Sequence, residues 1–318
     1  MKILWAGPNY ESRYNRVHEA LPKAAAKLHE VVRFGHAMED GLPCEAWNRK
    51  EDVELAIDQH GPFDLLIVQH PRHCMSYRGI QSIKLPKIAI LTDYFPWTYP
   101  QKHDFMSYNG IDLALFPEQY MIANAEHFKA NLVLPKRLKT AWLPFWVDYE
   151  EYKGLAPGIQ YDVTALFSGA NSGVYPNRRA VIQALESLTD LTVFARLVTD
   201  GSNKVRGSRY PELLASSAIV VTSNDKFGSV NFKHFEIPAA AALMISDRAL
   251  DFESLGFIAG EHYVEYSAPS ELPGLIHHYL DYSTEAAWIA HQGHQLVSTR
   301  HTAKQRCAEL FDIIGKSL

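Results

Sequence analysis

Three cysteines, Cys44, Cys74 and Cys307, are all that this 318-residue chain carries. They are odd in number, far apart, and form no Cys-x-x-Cys or Cys/His pattern at zinc spacing. This excludes a disulfide framework and a structural zinc site, and it points to a reducing compartment in which the thiols are core residues. Long hydrophobic runs are equally missing. No window of eighteen consecutive apolar residues occurs, and the opening run of "MKILWAGPNYESR" is broken by Gly7-Pro8, too short for a secretion signal or a bilayer span. A cytoplasmic protein with no membrane span is expected. Positive charge is not in excess: a formal net charge of -5 gives no cationic field for constitutive binding to nucleic acid or anionic lipid. Neither G-x-G-x-x-G nor G-x-x-x-x-G-K-[ST] is present, which removes the dinucleotide fingerprint and the P-loop, and there is no tandem repeat or low-complexity tract.

What is present is an ordinary globular composition, 47% hydrophobic, 21% charged and 12% aromatic, in a chain long enough for two domains of about 150 residues each. Apolar runs alternate with helical periodicity. "KILWAG" reads as a buried strand followed by a helix from Tyr10 to Leu28, and "VVRFG", "DLLIVQH", "KIAILTD" and "IDLALFP" read as further strands separated by helices. The tract "KGLAPGIQ", residues 153–160, is the expected linker. Beyond it the alternation resumes with "YDVTALFSG", "NRRAVIQALESL", "LTVFARL", "RYPELLASS", "AIVVTSN" and "HFEIPAAAALM", the last read as one helix with Pro238 in its first turn. Strand–helix alternation implies crossovers and parallel sheets, whose functional groups collect at the carboxyl ends of strands. The expected domains are 1–152 and 161–318, with the final helix able to cross back to the first, and a cleft between facing strand ends.

Two stretches of the second half carry charge at such ends. In "FSGANSGVYPNRR" the loop Gly169, Asn171, Ser172, Gly173 leads to Arg178 and Arg179 at a helix start, where backbone N–H groups and a guanidinium fork suit a diphosphate. The plain alternative is a glycine-rich turn beside solvated arginines. In "NFKHFEIPAAAALMISD", Lys233, His234 and Glu236 stand before an alanine-rich run. Glu236 is either a first-turn acid favoured by the helix dipole or a carboxylate that accepts two hydrogen bonds from a ribose diol, with Lys233 charging a phosphate site.

The blocks "YPELLASSAIVVTSN", "NFKHFEIPAAAALMISDR", "GEHYVEYSAPSELPGLIHHYLD" and "STRHTAKQRCAELFDII" resemble the C-terminal half of the spore-maturation-protein-like (CgeB-like) glycosyltransferases of the GT-B superfamily, over residues 162–314. "LTDYFPWTYPQKHDF", "IDLALFP" and "AWLPFWVDYEEY" resemble that family's N-terminal domain more loosely. The resemblance implies an α/β fold with two Rossmann-like α/β/α domains facing across a cleft, the donor nucleotide sugar in the second and the acceptor in the first. It implies no metal tied to a D-x-D motif, none being present, and no other cofactor. By resemblance Glu236 grips the donor ribose and Lys233 stands where many relatives have arginine. Gly228 stands where related retaining enzymes have a second glutamate, and alanines replace a glycine common in the apolar run.

For the acceptor side, a sugar transferase that inverts needs a general base near the acceptor hydroxyl. Asp93 at a strand end, with His103 and Asp104 in the loop that follows, is the first candidate set; His70, with His73, is the second. Each also reads as a turn cap. Phe95, Trp97 and Tyr99 in the long loop "YFPWTYPQKH" are candidate acceptor-stacking groups, with Arg72, Arg78 and Lys102 near them for an anionic acceptor. Trp142 and Trp146 read as core or hinge packing, and His301, Thr302 and Arg306 as helix packing. The acceptor itself stays open among saccharide, protein, small metabolite and modified nucleobase in nucleic acid. A nucleotide-sugar epimerase on the same fold and a non-catalytic nucleotide-sugar or carbohydrate-binding protein are the alternatives.

Overall fold

A computed structural model of the chain describes residues 1–7, 17–34, 38–39, 42–43, 53–69, 79–92, 94, 99–131, 133–168, 173–198, 205 and 207–318. The chain forms two compact units, Met1–Pro144 with Ala303–Leu318, and Phe145–Thr302.

The first unit is built on strands β1 (Lys2–Ala6), β2 (Glu30–Phe34), β5 (Leu65–Gln69), β6 (Lys87–Ile90), β7 (Leu113–Phe116) and β8 (Lys139–Trp142), all parallel, in the order β2-β1-β5-β6-β7-β8. A small antiparallel pair, β3 (Met38–Glu39) and β4 (Leu42–Pro43), lies outside this sheet. The central strands are apolar on successive residues because helices cover both faces of a parallel sheet. Leu4, Leu66, Val68, Ala89, Ala114 and Phe116 are accordingly sealed from solvent. The closing helix Ala303–Ser317 packs on this unit, where Phe311 meets His29 edge-on at 4.3 Å. Cys307 on that helix is a fully buried thiol, and burial pushes it up to about 11.

The second unit holds β9 (Tyr161–Ser168), β10 (Val193–Val198), β11 (Ser217–Val221), β12 (Leu243–Ser246) and β13 (Val264–Glu265), again all parallel, in the order β10-β9-β11-β12-β13. The chain runs from β9 to β10 on one side and returns to β11 on the other. The carboxyl ends of β9 and β11 therefore flank the topological switch point, where open α/β sheets bind ligands.

Three expectations need correction. The unit boundary falls between Pro144 and Phe145, not in residues 153–160: Phe145 packs on Phe232 at 4.3 Å, Trp146 on the same ring at 5.7 Å, and Val147 pairs with Thr302. The stretch "HFEIPAAAALM" is not one helix. The helix Lys233–Ala239 stops, Ala241 takes a left-handed backbone with φ of 58°, and β12 begins at Leu243, so that Pro238 lies in the last turn of the helix. The stretch 94–103 is not all loop, because a helix runs from Tyr99 to Tyr108.

Ala241 gives the first prediction. A Cβ in the left-handed region costs about 1–2 kcal/mol, whereas glycine there costs about 0.4–1 kcal/mol through the greater freedom of the unfolded chain. Ala241 is exposed and gives up no packing. Ala241→Gly should therefore stabilise the second unit by roughly 0.5–1 kcal/mol, read as a rise in melting temperature of about 1–4 °C.

Candidate functional site

The helix Lys233–Ala239 is short, seven residues, and its start is held by the Asn231 side chain, whose Oδ1 accepts the Lys233 N–H at 3.0 Å. Successive helical residues diverge by about 100°, so Lys233 and Glu236, three apart, share a face while His234 between them turns elsewhere. That face meets the carboxyl end of β9. The Lys233 ammonium donates to the Leu166 carbonyl and stands 4.8 Å from the centre of the Phe167 ring. Burial pulls Lys233 down to about 7, the neighbouring Arg178 charge pulls the same way, and Glu236 opposes both.

Glu236 is half-buried beside it. Burial pushes its carboxyl up to about 7; the hydrogen bond from the Tyr210 phenol, at 3.0 Å to Oε2, and the charge of Lys233 push it down, and Glu151 pushes it up. The fully buried Tyr152 lies in the same surroundings, and its phenol is raised well above its ordinary value, by burial first and then by Glu236, Tyr210, Glu151 and Asp148. A lysine and a carboxylate that both change charge near neutrality, at one strand-end switch point, form a site able to hold an anion and a pair of hydroxyls.

His234 is a correction. It is wholly buried, its Nδ1 accepts the Asn231 N–H at 3.0 Å, and its Nε2 lies 3.3 Å from Ser246 Oγ. Nδ1 is thus the acceptor and the proton sits on Nε2. Burial, with the charges of Lys233 and Arg178, holds the ring neutral down to about 3. It braces the helix against β12, with no exposed surface of its own.

Arg178 begins the helix Arg178–Glu186 and is buried, its guanidinium 3.3 Å from the centre of the Tyr175 ring and 5.3 Å from that of Phe167. It shares Phe167 with Lys233, so the two cations bracket one aromatic ring. Next to it, Asp247 accepts the Asn224 N–H at 2.8 Å and the Asn177 amide at 3.3 Å, which fixes the end of β12 to the loop after β11. Asp225 accepts the Phe227 and Ser229 N–H groups at 2.9 and 3.1 Å and so closes a tight turn around Gly228. Gly228 has φ of 70°, and a Cβ there would meet Leu250 Cγ at 3.0 Å. No side chain of any charge fits that turn without strain.

The helix is also held from behind. Gly293, in the long helix Ser283–Arg300, lets the backbone of residue 262 approach so closely that an added Cβ would lie 2.5 Å from the His262 carbonyl oxygen and 3.5 Å from Pro238 Cβ. The next residue, His294, places Nδ1 3.0 Å from the Pro238 carbonyl and Nε2 3.2 Å from the Tyr149 phenol.

In the first unit, His103 is buried among Tyr99 and Phe128, its Nε2 2.6 Å from the Tyr94 phenol, and burial lowers its basicity. Asp104, adjacent on the helix, is exposed, and its charge partly offsets the effect of burial on His103. Tyr99 accepts the Asn124 amide at 2.7 Å and packs on the tilted ring of Tyr94, centroids 4.5 Å apart. Lys102 is buried and donates to the Thr92 carbonyl at 2.8 Å, so it does not meet an acceptor as a solvated cation. Trp142 donates to the Pro117 carbonyl at 3.0 Å. His301 holds the Leu255 carbonyl at 2.9 Å, and Arg306 pairs with Glu309. Asp93, His70, Arg72, Phe95, Trp97, Gly169, Asn171 and Ser172, with His73 and Arg78, lie outside the described residues.

Tyr210, Glu151 and Tyr152 around Glu236, and Asn177, Asn224 and Asp247 beside Arg178, were not singled out from sequence. Tyr210 and Glu151 reach Glu236 from 26 and 85 residues away, and Asn224 and Asp247 reach Arg178's surroundings from 46 and 69 residues away, whereas Asn177 directly precedes Arg178. The "YP" that opens the helix Arg209–Ala215 gave no signal beyond a helix start.

Residues 178–312, which include Arg178, Lys233 and Glu236, match a family described as glycosyl transferase-like. No curated protein matches the chain. Among solved structures, a glycosyltransferase from Rickettsia africae superposes with a TM-score of 0.64 at 13% identity, covering 99% of this chain and 98% of that one. HepE from Anabaena, solved with UDP and glucose, superposes with 0.62 at 14% identity, over 99% of this chain and 100% of that one. Sucrose-phosphate synthase from Thermosynechococcus elongatus gives 0.61 at 10% identity, with 99% of each chain covered. The fold, two parallel α/β sheets in two units, is that of the GT-B glycosyltransferases. Among the described residues no helix is long and apolar enough to cross a membrane.

Proposed function

We propose that this chain is a glycosyltransferase of the spore-maturation-like (CgeB-like) type that moves a sugar from a uridine-diphosphate donor to an acceptor hydroxyl. The family match and the GT-B fold support glycosyl transfer from a nucleotide sugar. The observation that carries the reading is the Lys233/Glu236 face at the β9/β11 switch point, within the matched segment. HepE, of the same fold, was solved with UDP and glucose, which supports uridine as the base.

In this reading the donor's ribose hydroxyls donate to Glu236, and Lys233 in its charged form, beside Arg178, balances the diphosphate. As the bond from the anomeric carbon to the diphosphate oxygen breaks, negative charge grows on the departing UDP, and fixed positive charge there lowers the barrier. Two cations take the part that a divalent ion plays elsewhere, so the transfer we propose is metal-independent. The acceptor oxygen forms the new bond and gives up its proton to a general base, for which Asp93 and His70 are the candidates from sequence.

The test is calorimetry and thermal melting with UDP, GDP, CDP, ADP and TDP and their sugar conjugates, each with and without EDTA. A uridine ligand at ~100 times its dissociation constant should stabilise the protein by about 2.7 kcal/mol, unchanged by EDTA. Silence across the panel would remove the donor site. The left-handed turn at Gly228, where any side chain is strained and a Cβ would meet Leu250 Cγ at 3.0 Å, favours a second reading, a nucleotide-sugar binder without turnover. UDP-sugar bound tightly but never cleaved, with or without acceptor, would select it.

A further inference from the structure

The carboxylate of Glu236 is not symmetric in its surroundings. Among the described residues, Oε2 takes the Tyr210 phenol at 3.0 Å, and Oε1 takes no protein donor. Tyr210 comes from the helix Arg209–Ala215, which packs beside the helix of Glu236, so the phenol reaches the carboxylate from a separate element. The other groups facing Glu236 are Lys233 on its own helix and Glu151 and Tyr152 from the segment before β9, with Arg178 acting on it through Lys233.

We infer that Tyr210 is a positioning residue for donor recognition: it anchors Oε2 of Glu236 and fixes the carboxylate plane, so that Oε1 is presented to the hydroxyls of the donor ribose. This rests on the donor-site reading given above. An O–H that donates to a carboxylate favours the charged form. Around Glu236 that hydrogen bond is the largest influence acting against burial, with Lys233 next and Glu151 on the opposite side. Tyr210 thereby extends ribose binding to lower pH and removes one rotational freedom from the carboxylate before the ligand arrives.

The experiment is the dissociation constant of UDP-glucose, whose diphosphate does not titrate near neutrality, measured by calorimetry from pH 5.5 to 8.5. Wild type should weaken as pH falls through the range in which Glu236 takes up a proton. Tyr210→Phe keeps the ring and removes the donor. Its acid limb should move up by about one pH unit, a roughly tenfold loss on the acid side that shrinks above the limb. Replacing Tyr210 with 3-fluorotyrosine, a stronger donor of nearly the same shape, should move the limb down, and this variant keeps the test decisive if the Phe protein folds poorly. Glu236→Gln should have no acid limb at all.

If Tyr210→Phe weakens binding equally at every pH, or leaves the limb in place, Tyr210 is only packing and the inference fails while the donor site stands. If wild type binds no UDP-glucose at any pH, the donor-site reading falls and takes this inference with it.

Discussion

Glu236→Ala should weaken UDP and UDP-glucose by roughly 100-fold or more at pH 7.5, since two hydrogen bonds to a charged acceptor contribute about 1.5–3 kcal/mol each and every 1.4 kcal/mol is tenfold. A second effect adds to the first. Glu236 is the group that holds Lys233 up against burial and the Arg178 charge, so its loss leaves the lysine less often protonated at neutral pH and weakens the grip on the diphosphate as well. The loss should therefore be larger at pH 8 than at pH 6.5, the reverse of the trend expected for Tyr210→Phe. Calorimetry of the folded variant checks both the size and the direction. Affinity within threefold of wild type at every pH would show that nucleotide is held elsewhere.

The second large effect is structural. Gly293→Ala places a methyl group 2.5 Å from the His262 carbonyl oxygen, a contact that only backbone movement relieves. Overpacking of this kind costs about 1–3 kcal/mol, which for units of this size lowers the melting temperature by roughly 2–12 °C. The same methyl lies against Pro238, and His294 beside it holds the Pro238 carbonyl. Displacement is thus delivered to the helix that carries Lys233 and Glu236. UDP affinity should fall along with stability although position 293 does not reach the ligand face, and differential scanning calorimetry with and without UDP separates the two losses. A normal melt with weakened binding, or the reverse, would show that the packing and the site are not coupled this way.

Most of the sheet was legible because parallel strands covered on both faces are written as unbroken apolar runs, and "LLIVQ", "LALF" and "SAIVV" are of this kind. The passage from helix to β12 was not. Alanine, leucine and methionine all suit a helix, and the break falls at Ala241, a residue whose identity announces no left-handed turn. The boundary at Phe145 was hidden for a related reason: Gly and Pro mark residues 153–160 as irregular, but only the packing of Phe145 and Trp146 on Phe232 shows to which unit the preceding residues belong. Lys233 and Glu236 drew attention as charged groups ahead of an alanine-rich run and through the resemblance, and the helix places them three residues apart on one face. His234 was misread for the same geometric reason, since one residue along the helix is enough to turn a side chain into the core. Tyr210 carried no local mark, its partner being 26 residues away.

The turn at Gly228 bears on what this chain can become. Its backbone is left-handed, it is closed by Asp225, and Leu250 occupies the space that a side chain would need, while the Leu250 N–H donates to the Gly228 carbonyl at 2.9 Å. Introducing a glutamate at that point would place a Cβ on a left-handed backbone and 3.0 Å from Leu250 Cγ, so it should cost stability even where the exposed Leu250 side chain shifts aside. A saturation library at position 228 should be dominated by destabilised variants, with Asn and Asp, which adopt the left-handed region most readily, losing least. Which residues position 228 accepts is thus set by the backbone of the turn that Asp225 closes, before any question of what a side chain there could do.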